Sequence, residues 1–422
     1  MKQLILHTLL CGLLILNLAC VNNPEAPQYV RATDTGIQPV ISSITTIPPG
    51  LPYMLAGVTT IVFTGSGFGT DTSAIQVFFS NVQVKINSLT ATQITVTVPN
   101  MVKDSIIVRI LVAGALKYSD AQYVNLRSPF SLVKEIDTSK QVPNAITFDR
   151  NGNLFISVVT SAGVSDGIYK LFPNSDPTQR GTLSQYAIKG TEAFFSGLKC
   201  RGDSVYAARR ANRLVSRNSL TGQMNIFTAS FPTTVFPTSI EDMDYDQNKL
   251  LWAGGNTVNG GLISVDSQKN VKQYTFPFGG LIHSVRVYNG SVYCSVEAGD
   301  GTKGVYKIPI NNDGSLGTAT KYFDLSAMVG NTYNVAYGIT FDIQGNMYVG
   351  TDAAAGIYVV APDQSVQPLY GGLLGPNCKY LAWGRDSYLY VVRATSSPLN
   401  AYPTGIYKVD MVGKLSAPYY GQ

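Results

Sequence analysis

One phrase recurs six times in this chain, and it constrains the fold more than any other feature. Its clearest copy, Val335 to Val360, reads VAYGITFDIQGNMYVGTDAAAGIYVV. The pattern predicts a strand from Gly338 to Phe341, a tight turn on Asp342 to Asn346, a second strand from Met347 to Gly350, and a third from Ile357 to Val360. Alternating and β-branched residues mark the strands, and Gln344-Gly345-Asn346 supplies the turn chemistry. Aligned on the first apolar residue of the inner strand, the copies fall at Ile146, Leu198, Met243, Val285, Ile339 and Leu381, spaced 42 to 54 residues apart. Repeats of roughly 40 to 50 residues, each with several strands and no helix, specify a β-propeller. One such sheet cannot bury both of its faces, and stacking the sheets round an axis buries them.

The copies share further parts. Asp149-Arg150-Asn151-Gly152-Asn153 matches the turn at Asp342 to Asn346, with shorter versions at Tyr288-Asn289-Gly290-Ser291 and Arg201-Gly202-Asp203-Ser204. A third strand recurs as Gly167-Ile168-Tyr169-Lys170, Gly304-Val305-Tyr306-Lys307, Gly356-Ile357-Tyr358-Val359 and Gly405-Ile406-Tyr407-Lys408. These phrases resemble NHL-type and gluconolactonase-like six-bladed propellers over residues 129–422. Ring closure needs a strand from one end in a blade from the other. Ser131 to Ile136 and Leu415 to Tyr420 both read as outer strands, and the N-terminal segment is the favoured clasp.

Residues 38–128 follow a different rhythm. Ile75, Val77 and Phe79, and then Ile94, Val96 and Val98, alternate with polar residues, as strands do that bury one face and wet the other. Turns every eight to twelve residues over such a length fit an immunoglobulin-like sandwich. Pro48-Pro49-Gly50, Gly57-Val58-Thr59, Phe63-Thr64-Gly65-Ser66-Gly67-Phe68-Gly69 and Gln93-Ile94-Thr95-Val96-Thr97-Val98-Pro99 resemble the IPT/TIG family. That family implies a spacer or protein-contact module. The three glycines are read as a strand-to-loop corner, because a phosphate loop needs a helix N-terminus after it.

The N-terminus reads as an export signal over residues 1–19: Lys2, the apolar run Leu4 to Leu16, then Asn17-Leu18-Ala19-Cys20. Leu-Ala-Cys resembles a bacterial lipobox, which implies lipidation of Cys20 and anchoring in the outer membrane, with surface exposure open. Residues 20–37, rich in Asn, Pro, Thr and Ala, read as a tether. Cys200, Cys294 and Cys378 sit in or beside apolar strands and are expected to be buried free thiols. The formal net charge of +5 is small for 422 residues and includes no long Lys/Arg run, so nucleic acid is not an expected partner.

Candidate site residues follow from the repeat. An inner strand starts at one mouth of the central channel, so the position two before each anchor faces that mouth. There stand Asn144, Ser196, Glu241, His283, Tyr337 and Lys379, followed by a small residue in four of the six copies. A carboxylate, an imidazole, an ammonium and a phenol at one axis suit a polar ligand such as a sugar. Loops are a second candidate: Arg209, Arg210 and Arg213; Glu297 and Asp300; and Ala394 to Thr404. Tyr333, Tyr337 and Tyr402 are candidate stacking platforms for sugar rings.

Lyase-type relatives of the propeller family hold zinc with several histidines, whereas the mature chain keeps His283 alone. Gluconolactonase-like relatives imply a divalent ion on oxygen ligands. Asn144 and Glu241 would serve, but Lys379 repels a cation, so no cofactor is expected and calcium or magnesium is the alternative. No nucleophile elbow or paired-carboxylate motif stands out, and no catalytic residue is assigned. Sandwich, propeller and lipid signal together resemble the IPT/TIG plus NHL-repeat lipoproteins of Bacteroidetes-type envelopes, many of which capture and process glycans at the cell surface. The expectation is an all-β envelope lipoprotein with non-catalytic binding of a glycan or an envelope protein partner. A hydrolase, lactonase or lyase working in the channel is the runner-up, and a structural scaffold the third reading.

Overall fold

The computed structural model describes residues 36–418 except for 138, 140, 163–164, 173–180, 188–194, 210–212, 219–222, 229–238, 257–260, 276–278, 331–333, 386 and 395–402. The export signal, Cys20, nearly all of the tether, Arg210, Tyr333, Tyr402 and most of the loop Ala394 to Thr404 therefore lie outside the described residues. The chain divides into two compact units. One is Met1–Gly50, Thr60–Pro99 and Asp104–Asn125; the other is Leu51–Thr59, Asn100–Lys103 and Leu126–Gln422.

The first unit is a β-sandwich. One sheet orders Val40–Ile47, Thr60–Ser66, Gln93–Thr97 and Ile86–Leu89; in the other, Ile75–Phe79 lies between Val82–Val84 and Lys103–Val112. Alternation buries Ile61, Phe63, Ile94 and Val96 from one sheet against Ile75, Val77, Phe79, Ile106, Val108 and Ile110 from the other. The Phe63 and Phe79 rings meet across the gap with centroids 6.4 Å apart. Gly65 is demanded by close packing, because a Cβ there would stand 1.9 Å from the Val40 carbonyl oxygen. Beyond it, Gly67 and Gly69 turn the chain at positive φ into a single short 3-10 turn, Thr72–Ala74. The glycine triplet is a corner, as expected.

The second unit carries six four-stranded antiparallel blades among its described residues. From inner to outer strand they are Gln141–Phe148, Leu154–Thr160, Ser165–Phe172 and Thr182–Ala187; Phe195–Arg201, Ser204–Arg209, Arg213–Asn218 and Met224–Ile226; and Ser239–Tyr245, Leu251–Asn256, Leu262–Val265 and Val271–Tyr274. Then come Leu281–Tyr288, Ser291–Glu297, Lys303–Pro309 and Thr320–Asp324; Ala336–Phe341, Met347–Thr351, Ile357–Val360 and Val366–Pro368; and last Cys378–Trp383, Tyr388–Arg393, Gly405–Asp410 and Phe130–Glu135. One bridge, Asn256 to Leu281, joins blades three and four. Each inner strand packs on the next, and the sixth packs on the first.

Blade stacking is what holds the ring. Among the described residues of the unit six apolar clusters form, and each draws on two adjacent blades. Ile146, Ile156 and Val158 of blade one pack with Val392 and Ile406 of blade six, while Ile168 and Ala145 of blade one pack with Leu198 and Ala207 of blade two. The same sharing continues through Met243, Val285, Ile339 and Leu381. The six anchors thus all lie between blades. Each buried aliphatic side chain contributes about 1.5–3 kcal/mol relative to exposure. Cys200, Cys294 and Cys378 are buried free thiols, and burial pushes Cys200 and Cys378 up to about 12, which keeps them inert.

The clasp is the N-terminal segment. Phe130–Glu135 pairs antiparallel with Gly405–Asp410, Phe130 opposite Val409 and Glu135 opposite Gly405. Of Leu415 to Tyr420, the other segment read as an outer strand, the described part, 415–418, joins no sheet. It runs beside the blade-five turn with one bridge, Asp342 to Ser416, because the outer position of blade six is already filled.

The turns show why their phrase repeats. Asp149 accepts the backbone N–H groups of Asn151 and Asn153 at 2.9 and 2.8 Å, and the Asn153 amide at 2.7 Å. Asp342 does the same with Asn346 and also accepts the Tyr348 hydroxyl at 2.8 Å. In blade three, Asp246 holds Asn248, Leu250 and the Trp252 indole. One carboxylate thus satisfies the orphan donors of a tight turn.

Candidate functional site

All six residues two before the anchors occupy one structural position: the β-bulge of the inner strand. In blade one Pro143 pairs with Val158 and Ala145 with Ser157, leaving Asn144 as the extra residue. The register slips in the same way at Ser196, Glu241, His283 and Lys379. In blade five Tyr337 and Gly338 together face Gly350. A bulge removes its residue from the ladder and re-aims the side chain. It also explains the small residue that follows. A Cβ on Gly197 would stand 2.7 Å from the Glu241 carbonyl oxygen, and one on Gly338 would stand 2.8 Å from that of Lys379. Neighbouring bulges are in near contact at these two glycines, whereas blades three and six carry Asp242 and Tyr380 at the same place.

The six residues differ in what they do at that position. Ser196 is buried, and its hydroxyl faces the carbonyl oxygens of Ala208 at 3.2 Å and of Ile240 on the next blade. Asn144 donates to Phe195 O at 2.7 Å and accepts from the Tyr380 hydroxyl at 2.9 Å, tying blade one to both neighbours. These two side chains hold blades together. Glu241 is half-buried and accepts the Ser239 hydroxyl.

His283, Tyr337 and Lys379, from blades four, five and six, are brought together. The His283 and Tyr337 rings meet edge to face at 5.2 Å, and Lys379 Nζ lies 4.9 Å from the Tyr337 centroid. That ammonium covers one face of Tyr337, so the stacking platform expected there is already partly occupied. Burial lowers the Lys379 pKa, opposed by the charge of Asp352. Burial first, and Asp352 second, raise that of Tyr337.

Two carboxylates complete the group. Glu297, expected only in a loop, ends the second strand of blade four and binds His283 Nε2 at 2.7 Å and Lys303 Nζ at 3.2 Å. The His283 hydrogen bond foremost, with Lys303, lowers its pKa from 4.5 to about 2. Asp352 follows the second strand of blade five; it accepts Val335 N–H at 2.8 Å and the Asn334 amide at 3.2 Å, and faces the Tyr337 hydroxyl at 3.4 Å. The repeat does carry a signal for these positions. Second strands end on Thr160, Arg209, Asn256, Glu297, Thr351 and Arg393, polar in every blade, opposite the start of the inner strand. Arg209 and Arg213 are paired strand ends rather than a loop cluster. No group of three or more His, Cys, Asp or Glu suited to a metal ion occurs among the described residues.

Residues 39–125 match the IPT/TIG domain model. The chain pairs an IPT/TIG domain with a six-bladed β-propeller. Among solved structures, this IPT/TIG–propeller chain is similar to a protein of Bacteroides thetaiotaomicron provisionally named a phosphatase. That pair shares 11% identity at a TM-score of 0.52, over 89% of this chain and 97% of that one. An auxiliary nutrient binding protein of the same organism shares 12% identity, over 90% of this chain and 98% of its own, at a TM-score of 0.47. Regucalcin, a calcium-binding protein of Agrobacterium tumefaciens, shares 12% over 69% of this chain and 96% of its own, at 0.49. Identity this low speaks to fold alone. No curated protein matches the chain.

Proposed function

We propose that the bulge end of the propeller channel binds a carbohydrate without turning it over, in an envelope protein held by a lipid on Cys20 that serves surface glycan capture. One observation carries the reading: His283, Tyr337 and Lys379 converge from three blades and are flanked by the carboxylates Glu297 and Asp352. A polyol offers donors and acceptors on all sides, and it is recognised by donors and acceptors held at unequal, fixed positions. Lys379 donates, Glu241 and Asp352 accept, and His283 does either. Bulges on rigid inner strands hold these groups in place before a ligand arrives.

Binding is favoured over turnover by the state of Glu297. Glycosidases use one carboxyl group kept protonated as an acid beside a second that is ionised. Glu297 is held ionised by His283 and Lys303. The enzyme reading has one point in its favour: burial lowers the pKa of Lys379, against the pull of Asp352. A glycan array of the parent with Glu241→Ala and Lys379→Ala tests the proposal. Each substitution is expected to weaken a shared hit by about 1–3 kcal/mol, the cost of stranding its partner. Release of products from the bound glycan would move the assignment to an enzyme. Equal binding by all three proteins would remove the channel mouth from consideration.

A further inference from the structure

The charges at the bulge end divide into six that the protein itself engages and one that it does not. The bulge positions and the second-strand ends carry Glu241, Lys379, Arg209, Glu297 and Arg393. Lys303 and Asp352 stand beside them. Lys379, Lys303, Arg209 and Arg393 therefore face three carboxylates, a surplus of one positive charge.

Six of these seven groups are held. Glu297 takes His283 Nε2 at 2.7 Å and Lys303 Nζ at 3.2 Å. Asp352 accepts two N–H groups on Oδ1 and turns Oδ2 to the Tyr337 hydroxyl. Arg393 is fully buried and donates from Nε to Pro376 O at 3.0 Å. Glu241 accepts the Ser239 hydroxyl, and Arg209 is likewise engaged.

Lys379 is the exception. Among the described residues its Nζ makes no hydrogen bond and no ion pair, and it rests on the Tyr337 ring at 4.9 Å. A ring face attracts a cation but offers no lone pair to its three N–H donors. The ammonium is not sealed off, since it keeps accessible surface. The side chain as a whole is half-buried, and burial lowers its pKa against the pull of Asp352. An ammonium taken partly out of water without an acceptor carries a free-energy cost, which an arriving acceptor removes. An ionised acceptor does so about twice as well as a neutral one, and the surplus positive charge adds to its advantage. Lysine presents a compact point charge rather than a planar fork, so a carboxylate and a sulfate suit it equally.

We propose that the bulge end selects an acidic sugar residue, whose anionic group, a uronate carboxylate or a sulfate ester, sits on Lys379. This rests on the reading of that end as a glycan site, and makes Lys379 the residue that sets its specificity. Calorimetry on the full-length protein compares matched oligosaccharides: tetragalacturonate with its full methyl ester, and a sulfated galactan oligosaccharide with its desulfated form. The parent is expected to bind one acidic member about tenfold or more tightly than its neutral counterpart. The pair that shows the preference distinguishes carboxylate from sulfate. Lys379→Met removes the charge and should erase the preference, whereas Lys379→Arg should retain most of it; melting scans confirm that both variants are folded. The proposal is overturned, with the glycan site intact, if the neutral members bind as tightly as the acidic ones and Glu241→Ala weakens both. It is also overturned if folded Lys379→Met keeps the preference. Absence of binding by all four oligosaccharides overturns it as well, and a neutral glycan bound in the array would then leave the site standing without its acidic preference.

Discussion

Replacing Glu297 with glutamine keeps the shape of the side chain and removes its charge, so it tests the electrostatic centre of the bulge-end group. The carboxylate sits 2.7 Å from His283 Nε2 and 3.2 Å from Lys303 Nζ. Its pKa falls from 4.5 to about 2, chiefly through the hydrogen bond to His283. For a fully buried group that change corresponds to roughly 3 kcal/mol. Glu297 is one-third exposed, and solvent screening reduces the expected contribution to about 1–2 kcal/mol. The folded carboxyl is more acidic than the unfolded one. Its stabilisation is therefore complete above the unfolded pKa and is lost as pH falls from 4.5 toward 2. Thermal unfolding of parent and Glu297→Gln at neutral pH should differ by roughly 2–6 °C. By about pH 3 less than half of the difference should remain. A gap of equal size at both pH values would mean that packing, not charge, holds the group together. No gap at neutral pH would mean that the His283–Glu297–Lys303 contacts add nothing.

Three further outcomes are expected. Asp342→Ala removes a fully buried acceptor from Asn346, Tyr348 and Lys414, and chemical denaturation should show a loss of about 2–4 kcal/mol; a loss below 0.5 kcal/mol would discount the turn as a source of stability. A chain ending at Pro376 lacks three strands of blade six and leaves Phe130–Glu135 unpaired, so size-exclusion chromatography should show aggregation, and a soluble monomer would contradict the blade assignment. Cys20→Ser should release the protein from the membrane fraction with loss of lipid label, whereas retention with unchanged label would remove Cys20 as the anchor.

Much of this architecture was legible because its causes are local. The Asp342 to Asn346 phrase is a set of hydrogen bonds within five residues, so it survives as a string wherever the turn recurs. The bulge positions were legible for a related reason: a repeat that preserves its register preserves the extra residue, whether it is Asn144 or Lys379. What those side chains do depends on other blades. Ser196 and Asn144 have the polarity of ligand contacts, yet their hydrogen bonds go to Ile240, Phe195 and Tyr380, none of which is near in sequence. Glu297 looked like a loop charge because its partner lies across the hairpin, at a register slip that residue spacing alone does not reveal. The choice of clasp was a matter of competition. Both end segments read as outer strands, and only Phe130–Glu135 finds a third strand with a free edge.

The central claim is that the bulge end of the channel is the ligand site, and a quantitative glycan-binding measurement on parent, Glu241→Ala and Lys379→Ala tests it most directly. The two residues lie on blades three and six and share no strand, so a common loss with folding intact points to a shared ligand. The account predicts one glycan class bound by the parent and weakened about tenfold or more in each variant, with melting temperatures nearly unchanged. Undiminished binding in both folded variants would contradict it.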